Sequence, residues 1–155
     1  MIRELLALAR GEGNTGTIME FLNNSNYDEM LGIDLNADRF KFMYNIGDKY
    51  HVPATEGSYK NFYDYAVDHL IHPEDRELYA SSQNPAGLAE RLEASDAPGM
   101  LDFSFRIKNL DGGWRWVEQV TVGGAATGLP KGLVYCYIFD IQNIKDREDG
   151  VTRVR

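Results

Sequence analysis

The chain is poor in the residues that build most catalytic and metal centres. Its 155 residues include one cysteine, Cys136, and three histidines. No internal disulfide can form, and a cysteine-based zinc site, which needs two or more thiolates, is excluded. A reducing cytoplasm is the compartment this usage suits. No apolar run approaches the roughly 20 residues that cross a bilayer. The opening stretch Met1 to Arg10 is apolar but broken by Glu4 and has no cleavage pattern, so it reads as a short amphipathic helix. Basic charge is also scarce, with 16 Lys and Arg against 24 Asp and Glu and a net charge of -8. A surface of that sign argues against nucleic acid as a partner and against membrane insertion. Two Gly-rich stretches, residues 11–16 and 123–128, lack the Gly-Lys-Ser/Thr ending of a phosphate loop and read as a linker and a hairpin loop.

Aromatic residues are what the chain has in quantity: nine Tyr and seven Phe in one domain-sized sequence favour a core built on a sheet. A second short helix is expected over 17–24. Glu29 to Asn36 and Arg39 to Ile46 read as strands around the hairpin signal Asn36-Ala37-Asp38, with Phe40, Phe42 and Tyr44 sharing the inward face. Ser58 is a suitable N-cap for a helix from Tyr59 to Ile71, whose stripe is Tyr59, Phe62, Tyr63, Ala66, Val67 and Leu70. Pro73 and Pro85 each open a further helix, and Asp96 to Gly99 marks the return to strand period.

Three strands then follow. In the first, Leu101, Phe103, Phe105 and Ile107 alternate with polar residues. In the last, Leu133 to Phe139 is apolar on both faces and belongs in the middle of a covered sheet. Helices between the strands can cover one face only. The N-terminal helix or a second subunit is expected on the other.

Several short motifs fall in order along this scaffold: Ile71-His72-Pro73-Glu74-Asp75-Arg76, Phe103 to Asn109, Asp111-Gly112-Gly113-Trp114-Arg115-Trp116-Val117, and the exit Asp140-Ile141-Gln142-Asn143-Ile144-Lys145. In this order and spacing the chain resembles the PAS family, over roughly residues 27 to 148, in the subgroup marked by His-Pro-x-Asp and Asp-Gly-x-x-Arg-Trp. The resemblance implies an α+β fold: a five-stranded antiparallel sheet, short helices on one face, and flanking helices at both ends. It divides the chain into flanking helices and linker over 1–26, a PAS domain over 27–142, and the start of a signalling helix or linker over 143–155. Where the family exit usually has Thr, this chain has Gln142.

The function implied is that of a sensory or regulatory module without catalysis of its own. It would act through its exit helix on a C-terminal effector domain, forming a homodimer through flanking helices. Ile141, Ile144 and Val151 hint at a heptad there. The hairpin start and the ending Lys145 to Gly150 look like modules that precede GGDEF diguanylate cyclase domains in bacteria. No GGDEF motif occurs, so the chain is expected to be a piece cut before its output domain. A ligand-free dimerisation or protein-interaction module is the alternative, and a small cone-shaped α+β enzyme a more distant one.

A small-molecule ligand would be small and mostly apolar, in a pocket lined by Tyr63, Phe103, Phe105, Val134, Cys136 and Ile138. Asp140, Gln142 and Lys145 would carry the signal out. The cofactor is left open, with the residues speaking against flavin and haem. Cys136 lies mid-strand, outside the Asn-Cys-Arg-Phe-Leu-Gln helix motif of the light-sensing branch, and reads as a buried inert thiol. His69 falls on a polar helix face, His51 in a loop, and His72 where an imidazole caps a helix. Trp114 and Trp116 share a strand face and could stack a planar ligand, although packing of sheet on helix is the commoner use.

Overall fold

The computed structural model describes the backbone of residues 15–154 and the side chains of residues 19–149. The helix expected over 1–10 lies outside the described residues. The chain forms α1 (Thr15–Asn23), β1 (Glu29–Asp34), β2 (Arg39–Asn45), β3 (Glu56–Gly57), α2 (Tyr59–Tyr65), α3 (Arg76–Gln83), α4 (Leu88–Ala94), β4 (Met100–Lys108), β5 (Trp114–Gly123), β6 (Leu133–Asp140) and α5 (Gln142–Val154). The strands make one antiparallel sheet in the order β3-β2-β1-β6-β5-β4. The doubly apolar strand β6 is central, as its pattern requires.

The sheet has six strands where five were expected. The sixth, β3, is only two residues long and pairs with Phe40 and Lys41 at the edge of β2. A Glu-Gly dipeptide carries no alternation from which a strand could be read. What makes it a strand is the return of the loop, where Phe42 N–H donates to the Thr55 carbonyl at 2.8 Å.

A second difference lies in β2. Phe40 and Phe42 face the core, but Tyr44 does not share their face. A bulge sets Met30 opposite Tyr44 and Leu31 opposite Phe42, leaving Met43 as the extra residue. One inserted residue reverses the parity beyond it. The Tyr44 ring accordingly meets Tyr27 edge-on at 5.7 Å, on the far side of the sheet.

The helix begins at Ser58 as its sequence suggests: the hydroxyl accepts from Asn61 N–H at 3.2 Å and donates to Asp38 at 2.6 Å. It ends differently. Ala66–Leu70 is wound as a π-turn, with Ile71 N–H reaching back to Ala66 O at 3.0 Å. Ile71 then leaves the helix to bridge Ile107 of the edge strand, because Pro73 cannot continue it.

Two apolar layers result. The inner one, under the helices, holds Leu31, Ile33, Tyr59, Tyr63, Leu70, Phe105, Val117, Cys136 and Ile138. The outer one holds Val120, Val122, Tyr137 and Phe139, with Leu22 of α1 fully buried against them. Tyr137 fixes α1 further by donating its hydroxyl to Asn23 Oδ1 at 2.6 Å. The N-terminal helix is therefore part of what covers the second face.

Candidate functional site

A cavity of about 40 Å³ lies between the inner face of the sheet and helices α2 and α3. Its wall is largely aromatic and aliphatic: Leu31, Phe42, Tyr59, Phe62, Tyr79, Phe105 and Ile138 among others. Three polar side chains break that wall, Glu29 from β1, Gln83 at the end of α3 and Gln119 from β5. Strand parity places the first and last: Glu29 shares the inward register of Leu31 and Ile33, and Gln119 that of Val117.

The two amides converge on one hydroxyl. Gln119 Nε2 donates to Thr121 Oγ1 at 3.0 Å and Gln83 Nε2 donates to the same oxygen at 3.2 Å. Cys136 sits beside them, its Sγ 3.9 Å from Gln83 Oε1. Burial pushes the Cys136 thiol up to about 12, so it is protonated and unreactive. Glu29 is only 3% exposed, and its Oε2 is buried without a hydrogen-bond partner among the described residues. Burial first, and then the neighbouring Asp28 charge, push its carboxyl up to about 8.

Of the residues expected to line a pocket, Phe105, Cys136 and Ile138 do so. Tyr63 is buried one layer behind, stacked on Tyr79 with ring centres 6.3 Å apart and its hydroxyl on Ala80 O. Phe103 stacks on Phe105 at 5.1 Å, at the margin. Val134 lies in a separate open groove with Leu35, Leu92 and Leu133. Trp114 and Trp116 are on the outer face and take no part in the cavity. Glu29, Gln83 and Gln119 were not foreseen. The inward parity of Glu29 and Gln119 was the available signal for two of them, whereas Gln83 gave none.

Asp140, Gln142 and Lys145 lie where β6 passes into α5. Asp140 Oδ2 accepts from Arg115 Nε at 2.6 Å and from Lys49 Nζ at 3.0 Å, and Lys49 also reaches Asp28 at 2.9 Å. Asp140 Oδ1 accepts from Gln142 N–H at 2.9 Å, capping the start of α5. Burial alone would raise the Asp140 carboxyl, but Gln142 N–H, Lys49 and Arg115 outweigh it and hold it below its ordinary value. Gln142 ties the same junction to β5: its Oε1 accepts from Trp116 N–H at 2.8 Å, while Ile141 N–H donates to Trp116 O at 3.1 Å. Lys145 Nζ stands 4.6 Å from the Trp116 ring, which Arg106 also approaches at 4.8 Å.

The signature residues thus have structural uses. Arg115 and Trp116 of the Asp-Gly-x-x-Arg-Trp run bind the exit. In the His-Pro-x-Asp run, His72 Nδ1 accepts from Glu74 N–H at 3.1 Å. Asp75 accepts from both the backbone and the guanidinium of Arg106, at 2.8 and 2.9 Å, and so ties the helical layer to the edge strand. Among the described residues no group of three or more His, Cys, Asp and Glu could hold a metal ion, and no helix is long and apolar enough to cross a membrane.

No family model and no curated protein sequence matches the chain. By structure the chain is similar to PAS sensory domains. A sensory box histidine kinase/response regulator from Burkholderia thailandensis aligns at 17% identity and TM-score 0.49, over 82% of this chain and 86% of that one. An RNA-binding light-oxygen-voltage receptor aligns at 16% and 0.46, covering 80% of this chain and 30% of the receptor. The N-terminal domain of a diguanylate cyclase with a PAS/PAC sensor, from Marinobacter aquaeolei, aligns at 14% and 0.46, over 76% and 97%. Identities this low say nothing of ligand or output.

Proposed function

We propose that the chain is a cytoplasmic PAS sensory module, without catalysis of its own, that reports the state of its inner cavity through α5 to a C-terminal output domain. The observation that carries this reading is the shared strand. Cys136 and Ile138 of β6 line the cavity, and the next inward residue, Asp140, anchors the start of α5. A change that shifts β6 by a fraction of an ångström alters the Asp140–Arg115–Lys49 contacts, and with them the angle at which α5 leaves. An occupant shifts that equilibrium only by its unequal affinity for the two arrangements.

The output domain we propose is a GGDEF diguanylate cyclase, on the sequence resemblance of the hairpin start and of Lys145 to Gly150. Reading the gene past Arg155 tests it. A GGDEF-bearing frame is expected, and its cyclase activity should change when Asp140 is replaced by Asn. A stop codon directly after Arg155, or an activity indifferent to that substitution, overturns the proposal.

A further inference from the structure

The polar side chains that line the cavity are two amides and one carboxyl, Gln83, Gln119 and Glu29. Thr121 Oγ1 takes one N–H from each of the amides of Gln83 and Gln119, and Gln83 Oε1 accepts from the Cys136 thiol at 3.9 Å. Glu29 contributes a carboxyl that is only 3% exposed and whose Oε2 has no hydrogen-bond partner among the described residues. Among the described residues no Lys, Arg or His lines the cavity. An anion would therefore meet no donor charge there. A cation would meet the Glu29 carboxyl on one side and the rings of Phe42, Tyr59, Phe62, Tyr79 and Phe105 on the other.

We infer that the cavity is a binding site for a small alkylammonium ion, its N–H groups on the Glu29 carboxyl and its carbons against the aromatic wall. The inference rests on the reading of this cavity as the sensing site. Size sets the ligand class. About 40 Å³ is room for roughly three waters, hence an ion of about three to five heavy atoms.

In the empty protein burial keeps Glu29 protonated at neutral pH. The ion supplies the missing counter-charge, so Glu29 ionises and its proton leaves to solvent as the ligand enters. The groups that face Glu29 do not compete for the role. Asp28 is already held by Lys49 and by the Tyr50 hydroxyl at 2.6 Å. Tyr79 from α3, Tyr59 from α2 and Cys136 from β6 are all buried and pushed up, hence neutral.

The test titrates the whole chain with ethylammonium chloride and, in parallel, with neutral acetamide. Amide NMR shifts would be followed in β6 and α5, and proton release by calorimetry in buffers of different ionisation heat. Ethylammonium should bind with release of close to one proton at about pH 7, and about tenfold more tightly at about pH 9, where Glu29 is ionised beforehand. E29Q, a neutral isostere, should lower that affinity at least tenfold and abolish the release. Equal binding of acetamide, or ethylammonium binding unchanged in E29Q, overturns the cation site while leaving the cavity a sensor. Ethylammonium shifts confined to the cavity, with α5 unmoved, support the cation site and overturn the sensory reading instead. Absence of ethylammonium binding at both pH values overturns the cation site outright.

Discussion

Glu29 sets up a conflict that a single residue can report. In the unfolded chain its carboxyl titrates near 4.5, while in the fold burial and Asp28 push it to about 8. Between those values the folded state binds a proton that the unfolded state has released. Its contribution is therefore intact below about pH 4.5, declines as pH rises, and levels off above about pH 8. In urea denaturation from about pH 5 to about pH 9, Glu29 by itself should lower the stability of the wild-type chain by about 4 kcal/mol. E29Q should lack that decline, and parallel curves for the two proteins would rule the buried acid out. Neither the burial nor the missing partner is written in the sequence around Glu29. Its parity with Leu31 and Ile33 is, so the direction of the side chain was legible and its chemistry was not.

At the scale of elements, the junction of β6 and α5 is where local sequence and long-range contact meet. Asp140 capping its own helix is a local event, and the sequence shows it. Its partners Lys49 and Arg115 arrive from a loop and from β5. Replacing Asp140 by Asn leaves Arg115 without its carboxylate and Lys49 with Asp28 alone, at a site that is only partly covered, a cost of about 1–2 kcal/mol. Hydrogen exchange should accordingly speed up in residues 142–149 more than in β5 or in α3. Uniform acceleration across the chain would mean global destabilisation and no special junction. Gln142 shows the limit of motif reading. It departs from the Thr that the sequence resemblance leads one to expect, yet its amide reaches the Trp116 N–H across 26 positions of sequence. The bulge at Met43 is the opposite case, a departure of the backbone itself. It turned Tyr44 out of the core with no signal in the alternation of Phe40, Phe42 and Tyr44.

For the whole molecule, the sheet is covered on its inner face by α2 to α4 and partly on its outer face by α1, through Leu22 and Asn23. Met43 and Tyr44 remain 56% and 47% exposed, and Ile144 of α5 is 47% exposed. We propose that the flanking helices pair in a homodimer, which would cover apolar surface of this kind. Light scattering at micromolar concentration should give twice the chain mass of 17.6 kDa. A single species at the chain mass would rule the dimer out.

The amino-acid order by itself determined the class of architecture. Period-two stretches, capping residues and Pro and Gly stops act over a few positions, and they set which segments become strands and helices. The doubly apolar β6 set its own central place by the same local pattern. Tertiary structure decided what depends on pairs far apart in the chain. It added β3 as a sixth strand through a loop return, brought Gln83 and Gln119 to the Thr121 hydroxyl, and closed Glu29 into the cavity with no hydrogen-bond partner for its Oε2 among the described residues. Desolvation and hydrogen-bond satisfaction are properties of a residue's surroundings, and those exist only once the sheet and its helices have met.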